Sequence, residues 1–132
     1  MWPARGRCCI PPAEDAALLL AIVQRHLKAL ELCLESTFPE EDWGFTAQQA
    51  VEKILKAWIV LADARPPRRP DLTELAAMAG LSLDPALLDL QTFAVEARYE
   101  EGPFPLPAPR AQLLREIEAL MHTCQAAIKA AE

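Results

Sequence analysis

Apolar residues recur at steps of three and four through the middle of the chain, and this spacing constrains the fold more than any other feature. The run comprises Ala47, Ala50, Val51, Ile54, Leu55, Trp58, Leu61 and Ala62. Such spacing places one broad apolar stripe on a single face of an α-helix. The small alanines allow a neighbouring backbone to approach closely, and the larger side chains fill the space beyond them. We therefore predict that this segment is the central helix of a bundle, ending near residue 64.

Three further apolar stripes predict three more long helices. The first should cover residues 13–35, the next should run from residue 85 to residue 101, and the last should begin at residue 109. The loops between them are rich in proline, which cannot continue a helix. No useful length of the chain alternates with period two, so we expect no sheet. The predicted class is all-α, an antiparallel four-helix up-and-down bundle with an extra short helix.

Two local patterns predict where the helices in the second half of the chain begin. Asp71 and Glu74 form a capping pattern that opens the extra short helix, and Gly80 is placed to end it. Asp84 followed by Pro85 combines a capping side chain with a proline at the first helical position. We therefore expect a helix to begin at each of these two places.

Length and charge limit the classes of protein that the chain can represent. With 132 residues it is long enough for one domain with a sound core. We expect residues 1–12 to be a flexible arm, since they lack periodicity, and residues 13–132 to be the single domain. A formal net charge of −6 argues against indiscriminate binding to nucleic acid. No run of 18 apolar residues occurs, so no membrane span is expected.

The cysteines and the start of the chain indicate the compartment. Glu14 and Asp15 interrupt any apolar signal-peptide core, so no secretion signal is expected. The four cysteines show no clustered spacing with histidine, so neither a metal site nor another cofactor is expected. Cys33 and Cys124 fall on apolar helix faces, which favours packing in the core. We expect a reduced, cytoplasmic protein.

The central helix also carries a recognisable motif. Residues 47–57 read Ala-Gln-Gln-Ala-x-Glu-Lys-x-Leu-Lys-Ala, which resembles the second helix of the HEPN family, a group of small prokaryotic helical-bundle domains. Weaker counterparts follow in the family's order: Asp71-Leu72, then Arg98-Tyr99, then a last long helix. The resemblance covers residues 14–130.

The resemblance implies a function as well as a fold. HEPN domains are often encoded beside a minimal nucleotidyltransferase, which implies a two-component toxin–antitoxin system with such a partner. The chain would then be a homodimer, acting either as the toxin-like component or as a subunit that binds a nucleotide or substrate. A metal-independent endoribonuclease and a non-catalytic protein-interaction module are the alternatives.

The ribonuclease alternative depends on an arginine and a histidine, because many HEPN ribonucleases use Arg, four to six residues, then His. Arg115 and His122 match that spacing and would share one helix face, so they are weak catalytic candidates. They lie in the middle of the last helix, however, and Glu116 stands where the family more often has a small polar residue. Pro70 also replaces the histidine that relatives carry before Asp-Leu. These departures favour a binding module over an enzyme.

The main binding candidates lie opposite the apolar stripe of the central helix: Gln48, Gln49, Glu52, Lys53 and Lys56. Their spacing forms two neighbouring polar ridges, which we expect to face solvent, a dimer seam or a ligand. Lysine side chains of this kind reach a phosphate, and glutamine amides read a base edge or a backbone. A nucleotide, RNA or a protein partner would each fit, and an ordinary solvated face remains the alternative.

Two further groups complete the binding candidates. Arg65, Arg68 and Arg69 form a basic tip in the proline-rich loop after the central helix, suited to phosphates or to an acidic partner such as a nucleotidyltransferase. Arg98 and Tyr99 resemble the beginning of the family's Arg-Tyr-Pro, although no histidine lies within reach. For Tyr99 we also weigh half-buried packing with the hydroxyl in water.

Overall fold

The computed structural model describes residues 11–35, 37–68 and 71–131, with the backbone alone for residue 98. Three long helices dominate these ranges: α1 (Pro12–Leu32), α2 (Glu40–Leu61) and α6 (Arg110–Ala131). No strand occurs in the described ranges, which confirms the all-α prediction. Most of the predicted flexible arm lies outside them, and α1 already begins at Pro12.

Both α2 and α6 run antiparallel to α1. The indole of Trp43, near the start of α2, donates to the carbonyl of Leu30 near the end of α1 at 3.1 Å. Arg110, the first residue of α6, reaches the same end of α1, where its guanidinium donates to the carbonyl of Cys33 at 3.0 Å. Because α2 and α6 begin at one end of the molecule, they are parallel to each other.

The apolar stripes of the three long helices form one core, as their spacing predicts. Its interior includes Val23 from α1, Ala50 and Ile54 from α2, and Leu113 and Ile117 from α6, and each side chain is at most 1% exposed. Burying a large aliphatic side chain stabilises the fold by about 1.5–3 kcal/mol. The alanines on α2 lack bulk, so they let α1 pack closely along it.

The extra short helix is α3 (Leu72–Ala79), and its ends confirm the predicted capping. One carboxylate oxygen of Asp71 accepts from the backbone N–H of Thr73 at 3.0 Å and of Glu74 at 3.2 Å. Gly80 follows with φ 73°, the left-handed conformation that glycine adopts without a steric penalty. The N–H of Leu72 donates to Gln91 Oε1 at 2.8 Å, and the carbonyls of Ala76 and Ala77 accept at the other end, so both ends of this eight-residue helix have partners for groups that the helix itself leaves unpaired.

The predicted continuous helix between residues 85 and 101 is wrong. The chain forms α4 (Pro85–Leu88), a 3-10 segment (Asp89–Ala94) and α5 (Glu96–Tyr99) instead. Asp84 does cap the start, where its carboxylate accepts from the N–H of Ala86 at 2.8 Å.

The spacing of the apolar residues accounts for the break. Leu87, Leu90 and Phe93 recur at steps of exactly three and are 3%, 0% and 1% exposed. A helix with three residues per turn aligns such positions, whereas an α-helix rotates them apart. The up-and-down arrangement of four long helices is therefore replaced by three long helices with short helical pieces beside α2.

Both α1 and α2 end about three residues earlier than predicted. At the end of α1 the cause is Arg110, which is 9% exposed. Its guanidinium donates to the carbonyls of Cys33, Glu35 and Phe38, which lie in the turn between α1 and α2. A positive charge at a helix C-terminus also interacts favourably with the helix dipole.

Among the described helices, none combines the length and apolar content required to cross a bilayer.

Candidate functional site

The predicted polar residues of α2 form one connected hydrogen-bond network. The amide of Gln48 donates to Glu52 Oε1 at 3.1 Å, and Lys56 Nζ donates to Glu52 Oε2 at 2.8 Å. The amide of Gln49 donates to Gln48 Oε1 at 2.9 Å. Lys53 Nζ donates to Gln49 Oε1 at 3.2 Å. All five residues are therefore linked in one row, which we call the α2 polar row.

The inner half of the α2 polar row is buried within the single chain. Gln48 is 0% exposed and Glu52 is 6% exposed, while Gln49, Lys53 and Lys56 are half-buried. The expectation that both ridges face outward is thus wrong for Gln48 and Glu52. The reason lies in the packing of α2, which contacts α1, α3, the 3-10 segment and α6. Only one strip of this helix is left to reach solvent.

Charge within the α2 polar row is unevenly compensated. Both carboxylate oxygens of Glu52 are occupied, one by the Gln48 amide and one by the Lys56 ammonium. Lys53 bonds to the neutral amide oxygen of Gln49 and forms no ion pair with Glu52. The row therefore contains one anion and two cations, with the charge of Lys53 uncompensated inside it.

His26 on α1 is a partly buried polar residue that the spacing of the sequence did not single out. Its Nε2 atom is buried and has no hydrogen-bond partner among the described residues. Burial lowers the pKa of His26, and the charges of Lys53 and Arg25 lower it further. The only hint in the sequence is its position directly before Leu27, at the edge of the apolar stripe of α1.

Two of the three arginines of the basic tip lie within the described residues. Arg65 and Arg68 are exposed in the loop after α2, and Arg69 lies outside the described residues. This loop begins after the C-terminal end of α2, whereas the α2 polar row occupies its middle. The structure therefore places Arg65 and Arg68 in a different part of the molecule from the α2 polar row.

Arg98 and Tyr99 lie on α5. Tyr99 is 77% exposed, so the half-buried packing weighed for it is wrong. The side chain of Arg98 lies outside what the structure describes.

Arg115 and His122 are both exposed on α6. Their neighbour Glu116 accepts from the amide of Gln112 at 3.0 Å, while its other oxygen is buried without a partner in the described part of the chain. No described side chain hydrogen-bonds to Arg115 or His122 to orient it, as a general acid or base requires. The pair therefore remains a weak catalytic candidate.

The cysteines within the described ranges are packing residues. Cys124 is fully buried in the core, and its burial raises the pKa of the thiol to about 12. The thiolate is the reactive form, so this side chain is inert near neutral pH. Cys33 is half-buried just after α1, at the carbonyl that Arg110 binds. No three His, Cys, Asp or Glu side chains come together as a metal site in the described ranges.

Two concave regions lie away from the α2 polar row. A groove of about 420 Å³ separates α1 from α6, with Leu20 and Gln24 on one wall and Gln125 and Ile128 on the other. A second concavity of about 490 Å³ lies beside Arg110 at the opposite end. Neither includes a residue of the α2 polar row, so neither concavity coincides with that row.

Comparison with known protein families agrees with the fold. The HEPN domain family model matches residues 16–132, which is nearly the whole chain and includes every helix from α2 to α6. No curated protein and no solved structure gives a significant match. The match contains the α2 polar row and the helices that bury it. The chain therefore belongs to the HEPN domain family.

Proposed function

We propose that this chain is a nucleotide-binding HEPN subunit that works with a minimal nucleotidyltransferase and has no catalytic activity of its own. The observation that supports the proposal is the α2 polar row. It holds two lysines and two glutamine amides in a fixed order on the most buried helix. A binding surface needs polar groups whose positions are set before the ligand arrives.

Each lysine of the row can bind a ligand without losing its bond within the protein. An ammonium group has three donors, and Lys53 and Lys56 each use one of them. Residues three apart on a helix have Cβ atoms about 5–6 Å apart, so two ammonium groups there can bind one phosphate chain. Charge-assisted hydrogen bonds to phosphate are about twice as strong as neutral ones.

The partnership with a nucleotidyltransferase rests on the family resemblance and on the basic tip. Arg65 and Arg68 are exposed, as a contact with an acidic partner requires. Charges at the rim of an interface act mainly on the association rate and on its salt dependence. Changing Arg65, Arg68 and Arg69 to glutamate should therefore weaken association most at low salt.

We also propose a homodimer, which light scattering distinguishes from a 14.6 kDa monomer.

The substitution Lys53→Met tests nucleotide binding with the least effect on folding, because among the described residues its ammonium bonds to the neutral amide of Gln49 and to no carboxylate. Methionine keeps helix propensity and most of the aliphatic bulk. We expect normal helical content and a loss of ATP affinity of about tenfold, the equivalent of one charge-assisted bond. The double variant Lys53→Met/Lys56→Met should lose more. Lys28→Met, at an exposed site on α1, is the matched control and should bind normally.

Three outcomes would contradict the proposal. Wild-type protein that binds no ATP would refute nucleotide binding. Cleavage of RNA in EDTA that disappears in His122→Ala would establish the ribonuclease alternative. If Lys53→Met dissociates the dimer and leaves ATP affinity intact, the α2 polar row lies at the contact between subunits.

A further inference from the structure

Every side-chain oxygen of the α2 polar row already accepts a hydrogen bond from within the row. The two oxygens of Glu52 accept from Gln48 and Lys56. The amide oxygen of Gln48 accepts from Gln49, and the amide oxygen of Gln49 accepts from Lys53. Each amide and each ammonium uses one of its hydrogens in these bonds, so every nitrogen of the row keeps at least one N–H for another partner. The row therefore has donors to spare and no side-chain oxygen without a donor.

The charged groups at the two ends of the row fix the direction of these bonds. The ammonium of Lys53 can only donate, so Gln49 turns its oxygen towards Lys53 and its nitrogen towards Gln48. An ionised carboxylate can only accept, so Gln48 turns its nitrogen towards Glu52. Reversing either amide would bring two donors or two acceptors face to face. The orientation of both amides is therefore set before any ligand arrives.

The part of the row that a ligand can reach offers donors. Gln48 is 0% exposed, whereas Gln49, Lys53 and Lys56 are half-buried, and each of these three keeps an N–H. The oxygens of a phosphate only accept, so they match such a surface. The edges of the bases differ in how they combine donors with acceptors, and all of them carry acceptors. Donors alone therefore cannot distinguish one base from another.

We infer that the α2 polar row binds the phosphate chain of the nucleotide and does not read the base, so that its ligand class is a polyphosphate, free or attached to any nucleoside. The inference rests on the proposed nucleotide-binding function and narrows it to one part of the ligand. Lys53 and Lys56 donate to the phosphate oxygens. Gln49 is a positioning residue: it holds the ammonium of Lys53 through a neutral oxygen at 3.2 Å and leaves its charge uncompensated for the phosphate.

A series of ligands tests the inference on wild-type protein. Isothermal titration calorimetry in buffer with EDTA compares ATP, GTP, CTP, tripolyphosphate and adenosine. We expect the three nucleotides to bind with affinities within about threefold of one another. Tripolyphosphate should displace each of them, and adenosine should not bind. The affinities for ATP and tripolyphosphate should fall in parallel as salt is added, because both depend on the same charges.

Two substitutions of Gln49 test its positioning role. Gln49→Glu gives Lys53 a carboxylate partner and should lower the affinity for tripolyphosphate about tenfold, the equivalent of one charge-assisted bond. Gln49→Met leaves the charge of Lys53 uncompensated and should stay within about threefold of wild type. Both variants lose the bond to Gln48, so the difference between them reports the charge and not the loss of that bond. Circular dichroism checks that both keep the helical content of wild type.

The outcomes separate this inference from the proposed function. A preference of more than about tenfold for one nucleotide, or tripolyphosphate that fails to displace ATP, would overturn the inference and leave nucleotide binding in place. Equal losses in Gln49→Glu and Gln49→Met would overturn the positioning role of Gln49. If none of the ligands binds, both the inference and the proposed function are refuted. The ligand series uses wild-type protein, so a folding defect in either variant cannot obscure it.

Discussion

Replacing Glu52 by glutamine should destabilise the protein although it changes only one atom. The carboxylate accepts from Gln48 on one oxygen and from Lys56 on the other, and the residue is 6% exposed. A glutamine has one oxygen and one NH₂ group, so the NH₂ group must face either the Gln48 amide or the Lys56 ammonium. In both orientations a donor meets a donor, and turning over the Gln48 amide only passes the mismatch on to its bond with Gln49.

The size of the effect follows from these contacts. A hydrogen bond to a charged group contributes about 1.5–3 kcal/mol, and Glu52→Gln removes at least one. The loss of a partner from a fully buried ion pair costs about 3–5 kcal/mol, but Lys56 is half-buried and can turn its ammonium towards water. We therefore expect a decrease of about 2–3 kcal/mol in the free energy of unfolding. For a domain of this length that corresponds to a fall of about 7–11 °C in Tm.

The measurement is urea unfolding followed by circular dichroism at pH 7, with the thermal midpoint as a second readout. Glu31→Gln, at an exposed site on α1, is the matched control and should change stability by less than about 0.5 kcal/mol. A double-mutant cycle with Lys56→Met should show that the two losses are not additive, because both break the same bond. Equal stability of Glu52→Gln and wild type would refute the reasoning and show that the network does not hold α2 in place.

Two further predictions concern stability. The pKa of His26 is lowered in the folded state, so between that pKa and 6.5 the unfolded chain binds more protons and the stability falls as the pH decreases. Tm should therefore drop more between pH 7.5 and pH 5.5 in wild type than in His26→Gln. Parallel curves of Tm against pH for the two proteins would contradict this. Gly44→Ala should lower the free energy of unfolding by about 1–3 kcal/mol, despite the better helix propensity of alanine. The reason is that the added Cβ would lie 2.6 Å from the ring of Phe93, which is 1% exposed. An unchanged urea unfolding curve would show that the ring can move.

Local chemistry along the chain was sufficient to predict the helices that begin and end on their own signals. Asp71, Gly80 and Asp84 act at the positions predicted for them, because capping depends on residues within four positions of each other. The apolar stripes likewise identify the inner faces of α1, α2 and α6, since helical periodicity is a property of the segment itself.

The break in the predicted fourth helix could be foreseen only in part. Leu87, Leu90 and Phe93 already show a period of three in the sequence, but the same residues also fit an α-helical stripe. The choice depends on what they pack against. In the folded chain Gly44 of α2 leaves room for the ring of Phe93, so the 3-10 segment packs closely against α2 at that place.

The candidate site shows the same division between local pattern and packing. Spacing along α2 was enough to select its polar residues, because residues three and four apart meet on any helix. Burial of Gln48 and Glu52 followed from the elements that surround α2, which include α6 at the far end of the chain. The charge of Lys53 lowers the pKa of His26 only because α1 packs antiparallel against α2. Desolvation and the field of neighbouring charges depend on distances in space, and those arise only when the helices are assembled.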